Sequence, residues 1–434
     1  MSQRGGAALV FAIALAFRAL VSAPGLANPE RSHGLDTGGY ILLADNLWHG
    51  NGFSWDTLPP YQANIVRAPV YPLFLALARA PWHSDRPALV LQILLGAFLA
   101  LLVFYLGETA SGNGFLPGLL AALDPFTALF GAMLYSELLF SILIALGALL
   151  LFRKKTPAAG LILGFSCLVR PTGIALVVAG IYPALRRDWR GLGEFLACFA
   201  AVPVLWIVRN ALVTRMALFP ALSGVSDINL FVFTAPMTRA EAEGTSYQEA
   251  WQASDPVLRA QYESDPYRAA NDPAFLVQAR RQALGEIISR PLAYCSIYAK
   301  GLVRGLGGLD FSLPSRVLAE PPRTQGSLGA ALRALVLGDL PGFRNALRER
   351  FSGTPPVALV YTIYSWLFML ALYFLVVKGT RVSPEHAACL LMAGALVFVA
   401  GPLASFRFRM PGHGPLEAVA GWSRPPSQGA IHHS

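Results

Sequence analysis

The chain has 434 residues, 55% of them hydrophobic and only 14% charged, with a mean hydropathy of +0.50. A soluble domain carries about 25% charged residues, so this composition excludes an ordinary soluble domain and describes an integral membrane protein. The net charge is +9, but the basic residues cluster between apolar runs with no aromatic-rich basic module among them. That is the pattern of the positive-inside rule and not of a nucleic-acid-binding surface.

Length alone permits two or three domains. Apolar segments run from residue 7 to residue 404, however, so one membrane domain carrying loops is the simpler reading. Of the four cysteines, Cys167, Cys198, Cys295 and Cys389, three lie in apolar runs and none shows Cys-x-x-Cys spacing. They read as small apolar packers, with no disulfide framework or zinc site expected.

Residues 1–6 carry Arg4 and are expected on the cytoplasmic side. Residues 7–23 form the first span. Val21-Ser22-Ala23 resembles a signal-peptide cleavage site, but Pro24 after it and Arg18 within the apolar run favour retention. Arg18 is expected near the outer end, where its stem can snorkel to the interface; the rival reading gives it a phosphate.

The polar segment 28–77 then holds Asp36, Tyr40 and the turn Gly50-Asn51-Gly52, and ends at Arg67-Ala-Pro-Val-Tyr71-Pro. Tyr40, Leu43, Ala44 and Leu47 share one face at helical spacing, which predicts an amphipathic helix on the outer surface. Asp36 precedes that helix, where an acid commonly serves as a cap. An acid and an arginine just outside a bilayer also suit chemistry on a lipid-linked phosphate.

Residues 69–80 read as a surface or partly inserted helix, 87–106 as a span running inward, and 115–130 as a span returning outward with Asp124-Pro125 inside it. Tyr135-Ser136-Glu137 opens the run 138–152. An acid at the outer end of a span is costly unless it meets water or a partner, which makes Glu137 a site candidate. Arg153-Lys154-Lys155 and Arg186-Arg187-Asp-Trp-Arg190 mark the cytoplasm. Only about 30 residues separate these clusters, whereas two full spans need about 40. Residues 156–185 are therefore expected as two short halves meeting at an apex, Arg170-Pro171, where proline breaks the helix and arginine enters a polar cavity. One long tilted span is the rival.

Residues 192–213 cross outward, ending in Trp206-Ile-Val-Arg209-Asn210. In the polar stretch 214–356, Asp255-Pro256, Asp265-Pro266 and Asp272-Pro273 each place a capping acid before a proline at the first helical position. Three short helices of an outer cap follow from that. Residues 280–306 read as one interfacial helix, and the Gly-, Pro- and Arg-rich stretch 310–353 yields no assignment. Residues 357–377 are a span, Lys378-Gly-Thr-Arg381 should lie inside, and 386–403 cross out again to deliver Arg407-Phe-Arg409-Met-Pro411 to the outer face. The tail is weakly apolar over 416–422, as for a last partial span; His432 and His433 read as a terminus, not as ligands.

The expected fold class is all-α: a polytopic integral membrane helical bundle of about 9–11 spans, whose outer-face loops carry short amphipathic helices. Residues 1–213 are expected as an N-terminal transmembrane catalytic module, 214–356 as the outer-face loop and interfacial helices, and 357–434 as C-terminal spans and tail. In this topology Asp36, Arg67, Glu137, Arg209, Arg407 and Arg409 gather at one lipid–water boundary, with Arg170 reaching toward them. The guanidinium fork holds phosphate oxygens in pairs, and a carboxylate within reach of a hydroxyl takes its proton. Stabilising the growing charge on a departing phosphate lowers the barrier. Together these suit attack of a hydroxyl on an activated carbon with a lipid phosphate leaving. Walker-type, Gly-x-Ser-x-Gly and His-Glu-x-x-His motifs are absent, so nothing suggests soluble nucleotide binding.

The motifs Asp36…Tyr40…Ala44-Asp-Asn-Leu47…Gly50-Asn-Gly-Phe53…Arg67-Ala-Pro-Val-Tyr71-Pro-Leu-Phe-Leu-Ala76, Ser136-Glu137-Leu-Leu-Phe140, Leu168-Val-Arg170-Pro-Thr-Gly173, Trp206-Ile-Val-Arg209-Asn210 and Arg407-Phe-Arg409-Met-Pro411 occur in this order. The ordered set resembles the GT-C membrane glycosyltransferases. The branch it is most similar to is the bacterial group related to dolichyl-phosphate-mannose–protein mannosyltransferases and the lipid A aminoarabinose transferase. The resemblance covers residues 7–230 and the last fifth of the chain.

It implies a sugar donor on a polyprenyl phosphate, catalysis on the extracytoplasmic face of the cell (inner or plasma) membrane, and inversion at the anomeric carbon with an aspartate as base. Asp36 matches that aspartate, and Glu137 joins it as a catalytic candidate. Tyr40, Arg67, Tyr71, Arg170, Arg209, Arg407 and Arg409 are the substrate-binding candidates. Many relatives carry Asp-Glu where this chain has Asp36-Thr37, so a role for a second acid there does not carry over. No metal ligands are assigned and no cofactor follows with certainty, with a divalent cation left open. The expected partners are the lipid-linked donor, a lipid, glycan or protein acceptor, and the bilayer, but no nucleic acid. A transporter or flippase of lipid-linked sugars would call for an inverted repeat and midplane polar residues. A non-catalytic membrane protein with the same fold would make Asp36 dispensable.

Overall fold

The computed structural model describes residues 2–215, 222–307, 312–318, 341, 344–345, 355–379, 383–404 and 406–420. Every regular element among the described residues is helical. In chain order the first are α1 (Gln3–Ala27), α2 (Thr37–Trp48), α3 (Val70–Ala78), α4 (Arg86–Ser111), α5 (Phe115–Leu123), α6 (Pro125–Gly131), α7 (Glu137–Phe152) and α8 (Thr156–Ser166). A 3-10 run, Pro171–Gly180, leads to α9 (Ile181–Leu185) and α10 (Trp189–Thr214).

The cap follows with α11 (Val225–Ile228), α12 (Ala235–Glu243), α13 (Tyr247–Gln252), α14 (Pro256–Ser264), α15 (Pro266–Ala270), α16 (Pro273–Ser289), α17 (Pro291–Gly307) and α18 (Ser312–Leu318). The chain returns to the bundle through α19 (Pro356–Gly379), α20 (Pro384–Ala400), α21 (Phe406–Arg409) and α22 (His413–Ala420).

Five described helices are long and apolar enough to cross a membrane: Gln3–Ala27, Arg86–Ser111, Trp189–Thr214, Pro356–Gly379 and Pro384–Leu403. The shorter apolar segments Glu137–Phe152, Thr156–Ser166 and Pro171–Leu185 fill the bundle between them. Helices satisfy their own backbone hydrogen bonds, which is what an apolar solvent demands. Outward-facing Leu205, Leu212 and Val377 present apolar surface in keeping with that solvent.

Several local expectations hold. The chain breaks between α8 and Pro171, with Arg170 extended at the apex. Gly50 and Gly52 turn the chain at φ 78° and 82°, the left-handed region open to glycine. Asp255, Asp265 and Asp272 each cap the helix that begins at the following proline.

Four readings need correction. Residues 115–130 are not one span: Asp124 is extended, and its Oδ1 accepts from the Phe126 amide at 2.8 Å to start α6 anew. Residues 280–306 are not one helix, because α16 ends before Arg290-Pro291 and α17 begins there. Arg18 neither snorkels nor lies at a surface. It is 1% exposed and donates to the carbonyls of Ala121 and Ala122, each at 2.9 Å, and to Thr127 Oγ1 at 3.1 Å. The break at Asp124 frees those carbonyls, and Arg18 satisfies them. Finally, the tail expected as a weakly apolar partial span is, from His413 to Ala420, a short helix with every residue buried in the bundle.

The stretch 310–353, apart from residues 312–318, 341 and 344–345, lies outside the described residues, as do Arg381, Trp422, His432 and His433. All four cysteines are free. At one end of the bundle, Leu43, Trp55, Ile65 and Val66 of the first polar segment share a separate core with Phe231, Phe275 and Leu276 of the cap. The first polar segment and the cap thus form a common layer over that end.

Candidate active site

α2 starts directly after Asp36, yet the Asp36 side chain makes no capping hydrogen bond. Its two oxygens are committed elsewhere. Oδ1 accepts from Arg67 Nη2 at 2.7 Å, and Oδ2 lies 2.6 Å from Arg407 Nη2. Arg407 turns its Nε to Glu137 Oε1, and Arg170 Nη1 reaches the same oxygen at 2.7 Å. Arg170 also donates to Ser136 Oγ at 3.2 Å. Arg67, Asp36, Arg407, Glu137 and Arg170 therefore form one chain of alternating charge, with a single positive charge in excess.

Aromatic faces support the guanidinium groups. Arg407 sits 4.3 Å from the Tyr135 ring centre, Arg67 5.1 Å from Tyr40 and Arg170 5.7 Å from Phe408. Such contacts stabilise a cation where water is scarce.

Accessibility divides the two acids. The Asp36 side chain keeps 19% of its surface and Glu137 none. Asp36 can meet a substrate; Glu137 cannot without rearrangement. Glu137, expected as a catalytic candidate, is placed behind Asp36 with its Oε1 on Arg407 and Arg170. Burial alone would raise the Asp36 carboxyl, but Arg407 and Arg67 outweigh that and hold it well below the usual carboxylate range. Burial would lower Arg407, yet the Glu137 and Asp36 carboxylates keep it well above its ordinary value, so it stays charged.

The loop carrying Arg67 is fixed from behind. Asn64 Oδ1 accepts from the amides of Val66 and Arg67, at 3.1 and 2.8 Å. Arg209 Nη1 donates to the Asn64 carbonyl at 2.6 Å and lies 4.7 Å from the Trp206 ring centre. Arg209 therefore braces the loop and does not join the ring of charges.

Tyr71 is also outside it. The ring is 1% exposed, stands edge-on behind Tyr40 at 4.9 Å, and its hydroxyl donates to Gln92 Oε1 at 2.9 Å. Arg409 faces away from Arg407, is 2% exposed, and donates to the Gly305 carbonyl at 3.0 Å. Of the sequence candidates, then, Asp36, Glu137, Tyr40, Arg67, Arg170 and Arg407 converge. Tyr71, Arg209 and Arg409 do not.

Sequence reasoning named Tyr135 and Ser136 beside Glu137 without giving either a role, and it passed over Asn64. It also passed over a second clamp at this end, in which Arg79 bridges Asp45 and Asp85 at 2.6 Å each and His33 Nε2 meets Asp85 at 2.7 Å.

Asp124, His413 and Glu417 place ligand-type atoms within 4.8 Å of one another, with His413 Nδ1 3.0 Å from Asp124 Oδ2. The Arg18 and Arg409 guanidinium groups act electrostatically on this cluster, so positive charge already stands beside it. A dication would leave net positive charge in an apolar interior, where unpaired charge is very costly. The arrangement fits a metal poorly.

No family model and no curated protein matches this chain. Among solved structures, the crystal structure of ArnT from Cupriavidus metallidurans bound to undecaprenyl phosphate is similar to 95% of this chain and 78% of that chain, at 15% identity and a TM-score of 0.39.

Proposed function

We propose that the chain transfers a sugar from a polyprenyl-phosphate donor to a hydroxyl acceptor at the outer face of a cell membrane, with inversion at the anomeric carbon. The observation that carries this reading is the Asp36 carboxylate, one-fifth exposed and held between Arg67 and Arg407. The ordered motifs that resemble GT-C glycosyltransferases point the same way.

The acceptor oxygen forms a bond to the anomeric carbon as the bond from that carbon to the donor phosphate oxygen breaks. The acceptor proton passes to Asp36. The electron pair of the broken bond stays on the polyprenyl phosphate, whose growing charge the arginines stabilise. The excess positive charge of the cluster favours an anion at this place.

Both Asp36 oxygens are engaged by guanidinium groups. A donor phosphate competes for Arg67 and Arg407 and so releases an oxygen of Asp36 for the acceptor proton. Donor binding then precedes acceptor activation. Glu137 and Arg170 act as positioning residues through Arg407.

Mass spectrometry of lipids and glycans from membranes with and without the chain tests the reading. A missing sugar on one acceptor and a build-up of its polyprenyl-phosphate form are expected without it. Identical lipid and glycan profiles would contradict the proposal.

A further inference from the structure

The cap carries a concavity. A cleft of about 660 Å³ opens beside α13 and α14, lined among others by Tyr247, Gln248, Trp251, Gln252, Tyr262 and Glu263. Its volume lies within the about 300–1,000 Å³ common for small-molecule sites.

The rings in it are fixed. Trp251 Nε1 donates to Glu263 Oε1 at 2.8 Å, and the Tyr247 hydroxyl donates to the Val232 carbonyl at 2.7 Å. Trp251 stands edge-on to Tyr262 at 6.2 Å and rests on Phe231 at 5.5 Å, while Tyr262 stacks on Phe275 at 6.5 Å. Phe231 and Phe275 belong to the buried core of the cap, so the rings have firm backing. Gln248 and Gln252 are exposed beside them and present planar amides that both donate and accept. Glu263 adds a carboxylate at the rim.

Rigid aromatic rings next to amides and a carboxylate match the two sides of a pyranose. Its C–H face lies against an aromatic ring, and its hydroxyls pair with amide and carboxylate groups. An acyl chain would leave these polar groups unpaired.

The cleft adjoins the charged cluster. Tyr262 is close enough to Arg67 to respond to its charge. Tyr267, next to the lining residue Pro266, stands edge-on to Trp55 at 4.9 Å. Trp55 Nε1 in turn donates to the Gly39 carbonyl at 3.0 Å, in the first turn of the helix that begins after Asp36.

We propose that this cleft is a saccharide-binding subsite that holds sugar rings of a glycan acceptor beside Asp36. Its assignment to the acceptor rests on the transferase reading; saccharide binding itself does not.

The test uses the full chain in lipid nanodiscs with chitotriose, mannotriose and maltotriose as probes, read by saturation-transfer NMR and titration. At least one probe is expected to receive saturation from aromatic protons. Trp251→Ala should weaken that binding about tenfold or more, and Trp251→Phe should retain most of it. Should Trp251→Ala unfold the cap, Gln252→Ala decides, because an exposed amide can be removed without opening a core; a several-fold loss supports the subsite.

Absence of saturation in all three probes, or unaltered binding in Gln252→Ala and in a folded Trp251→Ala, overturns the proposal. Retained transfer in Asp36→Asn with sugar still bound here would instead sink the general-base assignment and leave the subsite standing.

Discussion

Arg407 Nη2 lies 2.6 Å from Asp36 Oδ2, so the last motif of the chain closes on the first. The same guanidinium reaches Glu137 with its Nε, which makes it the bridge between an accessible acid and a buried one. Arg407→Ala should weaken binding of a polyprenyl phosphate by about 10–100-fold, the loss of a charge-assisted pair. Arg407→Lys should recover only part, since an ammonium is a point charge and cannot span both carboxylates as a fork does. Titration of polyprenyl phosphate into the nanodisc-embedded variants measures this, and equal affinities would remove Arg407 from the donor site.

Glu137 has no exposed side-chain surface and accepts from both Arg170 and Arg407 through one oxygen. Glu137→Gln leaves a buried site in which Arg170 and Arg407, both partly buried, share one carboxylate fewer. A loss of about 3–5 kcal/mol is expected, as for a broken buried pair. Adding Arg170→Met should restore part of it, because charge then leaves in matched amounts. Thermal unfolding of the single and double variants reads both effects; a double variant no better than the single would show that the charges are not coupled.

The Asp36 carboxyl is held below its ordinary value against the opposing effect of burial. A depressed folded value means stability that is present above the unfolded carboxylate value, about 3.9, and is lost as pH falls through the folded one. Asp36 should therefore add no pH dependence between neutrality and the mildly acidic range. In the free enzyme, kcat/KM should show no acid limb from Asp36 in that window. Arg407→Ala removes one of the two opposing charges and should move the acid limb upward. Matching profiles for the two proteins would mean that Arg407 does not set this group.

Gly160 and Gly164 place α8 against α10 at backbone distance. A Cβ at either position would meet the carbonyl oxygen of Phe195 or Phe199 well inside van der Waals contact. Small residues four apart are a recurring device for close helix packing in lipid. Gly164→Leu should cost about 1–3 kcal/mol by overpacking, whereas leucine at Gly193, where a Cβ meets nothing within 4 Å, should cost little. Melting curves of the two variants make the comparison.

What could be foreseen from the sequence was local. The Asp-Pro pairs at 255, 265 and 272 carry their own capping chemistry, and the helices begin where those pairs stand. The break at Arg170-Pro171 follows from proline's missing donor and from the short distance between basic clusters.

What could not be foreseen depends on partners distant in sequence. Arg18 is buried because a remote helix breaks at Asp124 and exposes carbonyls to it, and nothing within α1 signals that. Arg407 and Arg409 sit in one motif, but positions two apart on a helix point about 200° apart, so one faces Asp36 and the other faces α17. Glu137 carries the same local signature whether it meets water or two arginines. Tyr71 follows the Arg67 motif closely, yet the turn of α3 places it behind Tyr40.

The most direct test of the account is single-turnover sugar transfer by purified Asp36→Asn protein in nanodiscs, measured beside its affinity for a polyprenyl phosphate. The amide keeps the shape of the side chain but cannot take the acceptor proton. A fall in rate of about 10²–10⁴-fold with donor affinity retained is the expected result. Transfer at the unsubstituted rate would contradict Asp36 as the base and the reaction built on it.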